Sequence, residues 1–286
     1  MHSSQFKTHF IYPVRLAPVK VSDLLRQLLI PRKWRHYLRI EQAIKVNGKY
    51  RHFNELIVPG EQVTLQLNHV DSDQQNYPAS GKLPQIVYED ANVLVINKPA
   101  GQKTHPNLYE HQTALNDCCT YLGYSPYVVH RIDMLTSGLL LVAKNPAVVP
   151  ILNRQLSQKT FSRDYLAIVA KKQLPEKSGW INLPIGRDPQ DRRKRMTRPD
   201  GAAASTHYQL LKTSGNEAML TMVLRTGRTH QIRVHLAAIG CPIIGDPLYN
   251  PDYRSGQRLK LLATRMSFIK PFSFEQLVIQ LPARQT

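Results

Sequence analysis

Cysteine is scarce in this chain: Cys118, Cys119 and Cys241 are the three present in 286 residues. They cannot build a disulfide framework, and none stands in a zinc-type C-x-x-C pair. Such usage fits a reducing cytoplasm. Long apolar runs are missing too. The longest, within SGLLLVA at 137–143, falls far short of the roughly 20 residues a membrane helix needs. The opening MHSSQFKTHFIYPV has no apolar centre of signal-peptide type. Acid is under-represented, with 20 Asp and Glu against 38 Lys and Arg, a net charge of +18. A compact fold gains nothing from that excess, so a polyanionic partner is expected, and nucleic acid fits better than membrane. Cofactor motifs are absent: no GxxxxGK[ST], no GxGxxG after a strand, no HExxH and no GxSxG elbow. The eleven histidines form no metal cluster. His230 and His235, five apart on a helix, do not share a face. No metal, nucleotide or other cofactor is expected.

What is present is an adequate core, 42% hydrophobic, divided by one polar stretch. DSDQQNYPASGKLP reads as a linker. The expected organisation is a small domain over 1–70, a linker over 71–83 and a larger domain over 84–286. In the first, VSDLLRQLL (21–29) has helical apolar spacing and WRHYLRIEQAI follows as a second helix. Asn47-Gly48 predicts a hairpin turn, and Val63, Leu65 and Leu67 alternate as a strand. Residues 15–51 hold ten Lys and Arg against two acids. The plain reading is a solvated face; the clustering favours RNA contact.

The larger segment is rich in strands with irregularly placed helices. IVY, VLVIN, VVH, GLLLVA, FSRDYLAIVA, LKLLATRMSFI and LVIQLP all read as strands, and AMLTMVLRTGRTHQIRVHLAAIG as strand, turn and helix. Ile232, Leu236 and Ile239 mark that helix and Gly240 stops it. Without regular βαβ alternation this is α+β, with a mixed, mostly antiparallel sheet. RDPQDRRKRMTR (187–198) reads as a loop with six basic residues and two acids. It is either a solvated loop or a phosphate contact, and the single-sign charge favours contact.

Two constellations could carry chemistry. HRIDMLTSG (130–138) places Asp133 beside His130 and Arg131, between apolar strands. A salt-bridged aspartate holding a loop would look the same. RTGRTHQIR (225–233) sets three arginines around a glycine turn at a helix start, a natural anion site. An arginine from it against Asp133 would keep that carboxylate ionised and fit for nucleophilic or base chemistry.

These blocks carry a resemblance. Lys45-Val46-Asn47-Gly48 and Gly60-Glu61-Gln62-Val63 resemble the small α/β RNA-binding domain of the ribosomal protein S-four type, although Val21-Ser22-Asp23 replaces its usual Arg-Leu-Asp. HRIDMLTSG, RTHQIRVHLAAIGCPIIGDPLY and IVYEDANVLVINKPAGQKTHP are similar, in order, to the motifs of RluA-type (RluA/RluD-like) RNA pseudouridine synthases. Gln102-Lys103, Cys241 and Ala263 depart from that pattern. The resemblance implies site-specific isomerisation of uridine in structured RNA, ribosomal RNA first and transfer RNA second, by a monomer needing no cofactor. It implies catalytic roles for Asp133, for Tyr165 beside the target base, and for Arg233 as the aspartate's partner. Arg228 or Arg225 could be that partner instead, and a strand tyrosine is often only core. RNA contacts are expected from Lys98, His130, Arg131, Arg228, His230 and Gln231. Others are expected from Arg193, Lys194 and Arg195 in the basic loop, and from Arg35 and Arg39 on the second helix. Two rival classes are a non-catalytic ribosome-assembly protein on the same fold and a ribonuclease using His130 and His230.

Overall fold

The computed structural model describes residues 3–71, 76–107, 110–170 and 176–282. The amino-terminal unit runs β1 (Ser3–Ile11), β2 (Val19–Lys20), α1 (Val21–Gln27), α2 (Arg32–Ile40), β3 (Ile44–Val46), β4 (Lys49–Tyr50), β5 (Leu56–Ile57) and β6 (Gln62–Asp71). α1 buries Val21, Leu24 and Leu25, and α2 buries Trp34 and Leu38. The first helix stops short of its expected end because Leu29 turns to φ 58. The Asn47-Gly48 turn has φ 50 and φ 82, the two positive values a tight primed hairpin requires. Asn47 Oδ1 also accepts from the Gln62 amide at 3.0 Å, tying that turn to β6. β1 was not foreseen. It pairs antiparallel with β6 over most of its length, so its partner rather than its own pattern makes it a strand.

The second unit runs β7 (Ile86–Glu89), β8 (Val93–Lys98), α3 (Ala114–Leu122), β9 (Tyr127–Val128), β10 (Ser137–Ala143), α4 (Val149–Gln158), β11 (Ser162–Ala170), β12 (Ser178–Ile181), β13 (Ile185–Arg187), β14 (Arg195–Thr197), β15 (Thr206–Ser214), β16 (Glu217–Leu224), α5 (Gln231–Ala238), β17 (Leu261–Ile269) and β18 (Gln276–Gln280). The ten-stranded sheet orders β12-β15-β16-β11-β17-β10-β8-β7, with β18 on β17 and β9 on β10. Among the described residues its pairings are antiparallel except β10 with β17, which is the mixed character expected. The basic stretch 187–198 is not a plain loop. Its ends pair as the β13–β14 hairpin, in register Arg187 to Arg195.

That parallel seam is tight. Gly138 has φ 108, and a Cβ on it would lie 2.2 Å from the Ala263 carbonyl oxygen. Ala263 faces Gly138 on one side and Tyr165 on the other. The strand carrying Tyr165 and the strand following Asp133 are thus held one small strand apart.

β8 and β10 are buried on both faces, which explains their unbroken apolar runs. Leu94, Ile96, Leu140 and Val142 pack with Leu115 of α3 and Ile232 and Leu236 of α5. Val93, Val95, Leu139 and Leu141 face the other way, toward Ile151 and Leu152 of α4. The same buried cluster continues into Tyr12, Leu25, Ile30 and Leu65 of the amino-terminal unit. Phe6 stacks on Phe272 at 5.1 Å, Tyr12 meets Phe274 edge-on at 5.9 Å, and Arg154 donates to the Ile30 carbonyl at 3.4 Å. The two units therefore share one core. Residues 72–75 of the expected linker lie outside the described residues. The part at 76–83 is fastened to α3, with Asn116 donating to the Pro78 carbonyl at 2.7 Å and Ser80 to Asp117 at 2.6 Å. Among the described residues no helix is long and apolar enough to cross a membrane.

Candidate active site

Asp133 lies on the loop between β9 and β10, and the NKPAGQKT segment (97–104) clamps that loop from below. Thr104 donates to the Ile132 carbonyl at 2.8 Å, and the Gly101 amide donates to the Met134 carbonyl at 2.8 Å. Lys98 is fully buried, and its ammonium donates to the carbonyls of Pro99 (2.8 Å), Gln102 (2.7 Å) and Met134 (3.2 Å). Burial lowers its pKa to about 8, against the opposing pull of Asp133. Its expected contact with RNA is thereby corrected. Its donors are spent on three carbonyls, and reaching a ligand would mean tearing out the loop it fastens.

α5 supplies the other side. His230 occupies a left-handed conformation, φ 57, just before the helix. Gln231 is buried and uses its whole amide internally. It accepts from the Thr226 hydroxyl (2.7 Å) and the Arg228 amide (2.9 Å), and donates to the Ser205 carbonyl (3.1 Å) and Thr206 hydroxyl (2.9 Å). Gln231 is therefore the pin of the 226–228 turn, not the RNA contact expected of it.

Arg233, one helical step inside α5, is nearly fully buried. Its Nε and Nη2 donate to Asp246 at 2.7 and 2.8 Å, and its Nη1 reaches Asp133 at 3.5 Å. Burial by itself disfavours its charge, but the hydrogen bonds and charge of Asp246, aided by Asp133, hold its pKa above the usual arginine value. Asp246 was missed as a site residue. It belongs to the GDPLY stretch already read as a motif, yet nothing in its spacing says which cation it meets. Its Oδ1 also accepts from the Leu248 and Tyr249 amides, at 2.9 and 3.2 Å. Tyr249 completes the brace: its ring lies under Arg233 at 5.1 Å, and its hydroxyl meets His230 Nδ1 and the Arg195 amide, both at 2.8 Å. Arg225 and Arg228, the alternative partners for Asp133, make other contacts. Arg225 stacks over Trp180 at 4.2 Å, and Arg228 donates to the Ala203 carbonyl at 3.0 Å.

These elements surround an open cleft of about 890 Å³ whose walls include Arg131, Asp133, Tyr165, Arg228, His230 and Arg233. The wall carries seven Lys and Arg against one acid, Asp133, so the cleft attracts anions and isolates a single carboxylate. Tyr165 is 5% exposed, and its phenol is held protonated, chiefly by burial and secondarily by Asp133. Burial lowers the His230 pKa from the usual histidine value, against the opposing pull of Asp133. His130 touches the cleft but is buried, and its Nε2 accepts from the Leu141 amide at 3.1 Å. Burial, with Arg163 adding, drives its pKa down to about 3. It is a neutral wall residue rather than a cationic RNA contact, and it cannot act as the acid of a ribonuclease. Arg193, Lys194 and Arg195 are not part of the cleft wall. They stand beside it on the β13–β14 hairpin, with Arg193 paired to Asp191 at 2.7 Å. Arg35 and Arg39 are on α2, Arg39 exposed and Arg35 half-buried.

The chain is similar to known proteins over most of its length. The family described as RNA pseudouridylate synthase matches residues 92–238, and the RluD ribosomal pseudouridine synthase N-terminal domain matches residues 8–63. An uncharacterized RNA pseudouridine synthase of Bacillus subtilis, YhcT, is 37% identical, over 84% of this chain and 82% of that protein. Ribosomal large subunit pseudouridine synthase D of Nitrosomonas europaea is 38% identical, over 84% of this chain and 72% of its own. Among solved structures, human RNA pseudouridylate synthase domain containing 1 superposes with a TM-score of 0.61 at 25% identity, covering 72% of this chain and 85% of its own. The carboxylate, tyrosine and braced arginine of the cleft fall inside the matched region, and the chain belongs to the RluA/RluD-type RNA pseudouridine synthases, enzymes that isomerise uridine in RNA.

Proposed function

We propose that the substrate is ribosomal RNA of the large subunit and that Asp133 performs the chemistry. The observation that carries the second part is the lone carboxylate in a cationic cleft, 3.5 Å from an arginine already immobilised by Asp246. A cation fixed in that way holds the carboxylate in place to act on the sugar as nucleophile or as base. The bond from ribose to ring nitrogen breaks, the uracil turns, and a ring carbon joins the ribose. That carbon gives up a proton and the freed nitrogen takes one, so nothing is oxidised or added.

The target base must leave its stack to enter the cleft. Tyr165 offers a buried aromatic surface to receive it, an interaction worth about 1–3 kcal/mol per base. Arg131, exposed and next but one to Asp133, fills the space the base vacates. His230 and Arg228 line the entry. The amino-terminal unit, proposed as residues 1–70 with Arg35 and Arg39 on its α2, together with the basic hairpin of Arg193, Lys194 and Arg195, binds flanking phosphates. The ribosomal assignment is supported by the names of the relatives in Nitrosomonas europaea and Xanthomonas campestris, each a ribosomal large subunit pseudouridine synthase D. It implies a cytoplasmic site of action. The working unit is proposed to be a monomer.

The test is chemical mapping of pseudouridines in total RNA from cells with and without the protein, and with Asp133→Asn in its place. A site in large-subunit RNA lost in both the deletion and the Asn strain is expected. Loss confined to transfer RNA would remove the ribosomal assignment, and normal modification by the Asn variant would remove the role of Asp133.

A further inference from the structure

We propose that Arg163 is a phosphate-binding residue of the active cleft, holding the backbone phosphate next to the uridine whose base Tyr165 receives. The proposal rests on the reading of Tyr165 given above. Arg163 precedes Tyr165 by two positions on β11, about 7 Å along the strand. Both residues line the cleft.

Arg163 is a cation that the described part of the fold leaves unpaired. Among the described residues its guanidinium makes no ion pair, and its Nε is buried with no acceptor. The neighbouring acid, Asp164, is engaged by Arg265 at 3.0 Å. An arginine that serves folding normally has its donors matched, because a buried donor left unmatched is costly. The far end of the side chain lies against the RTGRTH turn: both Nη atoms are 3.5 Å from where a Cβ on Gly227 would be. The guanidinium therefore spans from β11 to the turn before α5, within the cleft wall. A second unmatched donor belongs to the same wall. His130 accepts at Nε2, which leaves the hydrogen on Nδ1, and Nδ1 is buried without a partner. Two buried donors lacking acceptors, on two residues of one cleft wall, call for a ligand rich in acceptor oxygens. Carrying negative charge as well, a phosphate satisfies both that need and the unpaired guanidinium.

The experiment measures pseudouridine formation in total RNA purified from cells lacking the protein, at several salt concentrations. Arg163→Gln should reduce kcat/KM by about 10- to 100-fold, mostly through KM, the loss of one charge-assisted hydrogen bond. It should also make the dependence of log KM on log salt shallower by about 0.7–0.9, one phosphate contact. Arg163→Lys should keep the slope and most of the activity. Arg163→Met, which keeps the stem, should leave Tm unchanged or higher, since no native partner is lost. An unchanged salt slope in Arg163→Gln would place the contact on the neutral base and overturn the phosphate assignment. A fall in Tm of Arg163→Met with unaltered KM would make the residue structural. Total RNA holds every cellular substrate, so the outcome does not depend on the ribosomal assignment. An active Asp133→Asn enzyme would defeat the reading of Asp133 while leaving the salt slope to decide on Arg163.

Discussion

One arginine serves two carboxylates in this site, and the two should separate stability from chemistry. Arg233 and Asp246 are both buried, joined by two short hydrogen bonds of 2.7 and 2.8 Å, and Asp246 Oδ1 also takes two backbone amides. Asp246→Ala would leave a buried guanidinium half unpaired and two amides without acceptors. Breaking a buried pair from one side costs about 3–5 kcal/mol. For a chain of this size that corresponds to a fall in Tm of roughly 6–20 °C. Asp133 stands at 3.5 Å with its side chain 24% exposed. Water screens that contact, and Asp133→Asn should cost less than about 1 kcal/mol. The assay is thermal and urea unfolding at pH 7 followed by circular dichroism, beside pseudouridine formation. Asp246→Ala should lose both stability and activity; Asp133→Asn should lose activity alone. The double replacement Arg233→Met with Asp246→Leu should recover much of the stability, because no lone charge remains buried, and none of the activity. An Asp246→Ala protein within 1 kcal/mol of wild type would refute the brace, as would an Asp133→Asn protein destabilised as strongly as Asp246→Ala.

Two further outcomes follow from burial. His130 is neutral in the fold, with its pKa lowered to about 3 by burial and the nearby Arg163. Unfolded, it titrates near 6.5, so below that pH the unfolded chain binds the extra proton and stability falls with pH. Relative to His130→Gln, wild type should hold its advantage above pH 6.5 and lose about 1.4 kcal/mol per pH unit below it; a flat difference down to pH 4 would show that the ring is not buried neutral. Deleting residues 1–83 would strip cover from the cluster that includes Ile151, Phe268 and Phe272. The shortened chain should unfold at lower temperature and aggregate, and a well-behaved fragment with unchanged Tm would mean the shared core contributes nothing.

Much of the site was legible because its residues are contiguous in the chain. Asp133 sits in HRIDMLTSG and Arg233 in RTHQIR, and each stretch reads as a polar turn between regular elements. Some structure had local signals that the sequence reading passed over. α3 has a Thr113 cap and a left-handed Gly123 at its end, and α4 starts with a proline in its first turn. Other features had none. β1 is a strand through β6, and the basic stretch 187–198 became a hairpin through pairing at its ends. The polar 71–83 stretch reads as a linker between two domains; which surfaces it touches has no local signal, and its described part is fastened to α3 while one buried cluster runs through both units.

By itself the sequence determined the polyanionic partner and the α+β class and singled out the carboxylate proposed here, since charge, periodicity and contiguous motifs need no third dimension. Tertiary structure alone decided who serves whom. Lys98 and Gln231 looked like RNA contacts as residue types, and burial turned them into fasteners. Asp246 was one acid among 20 until folding set it against Arg233, thirteen positions away. Such roles depend on which donors already have acceptors and which charges are out of water, and both are settled only when distant segments pack.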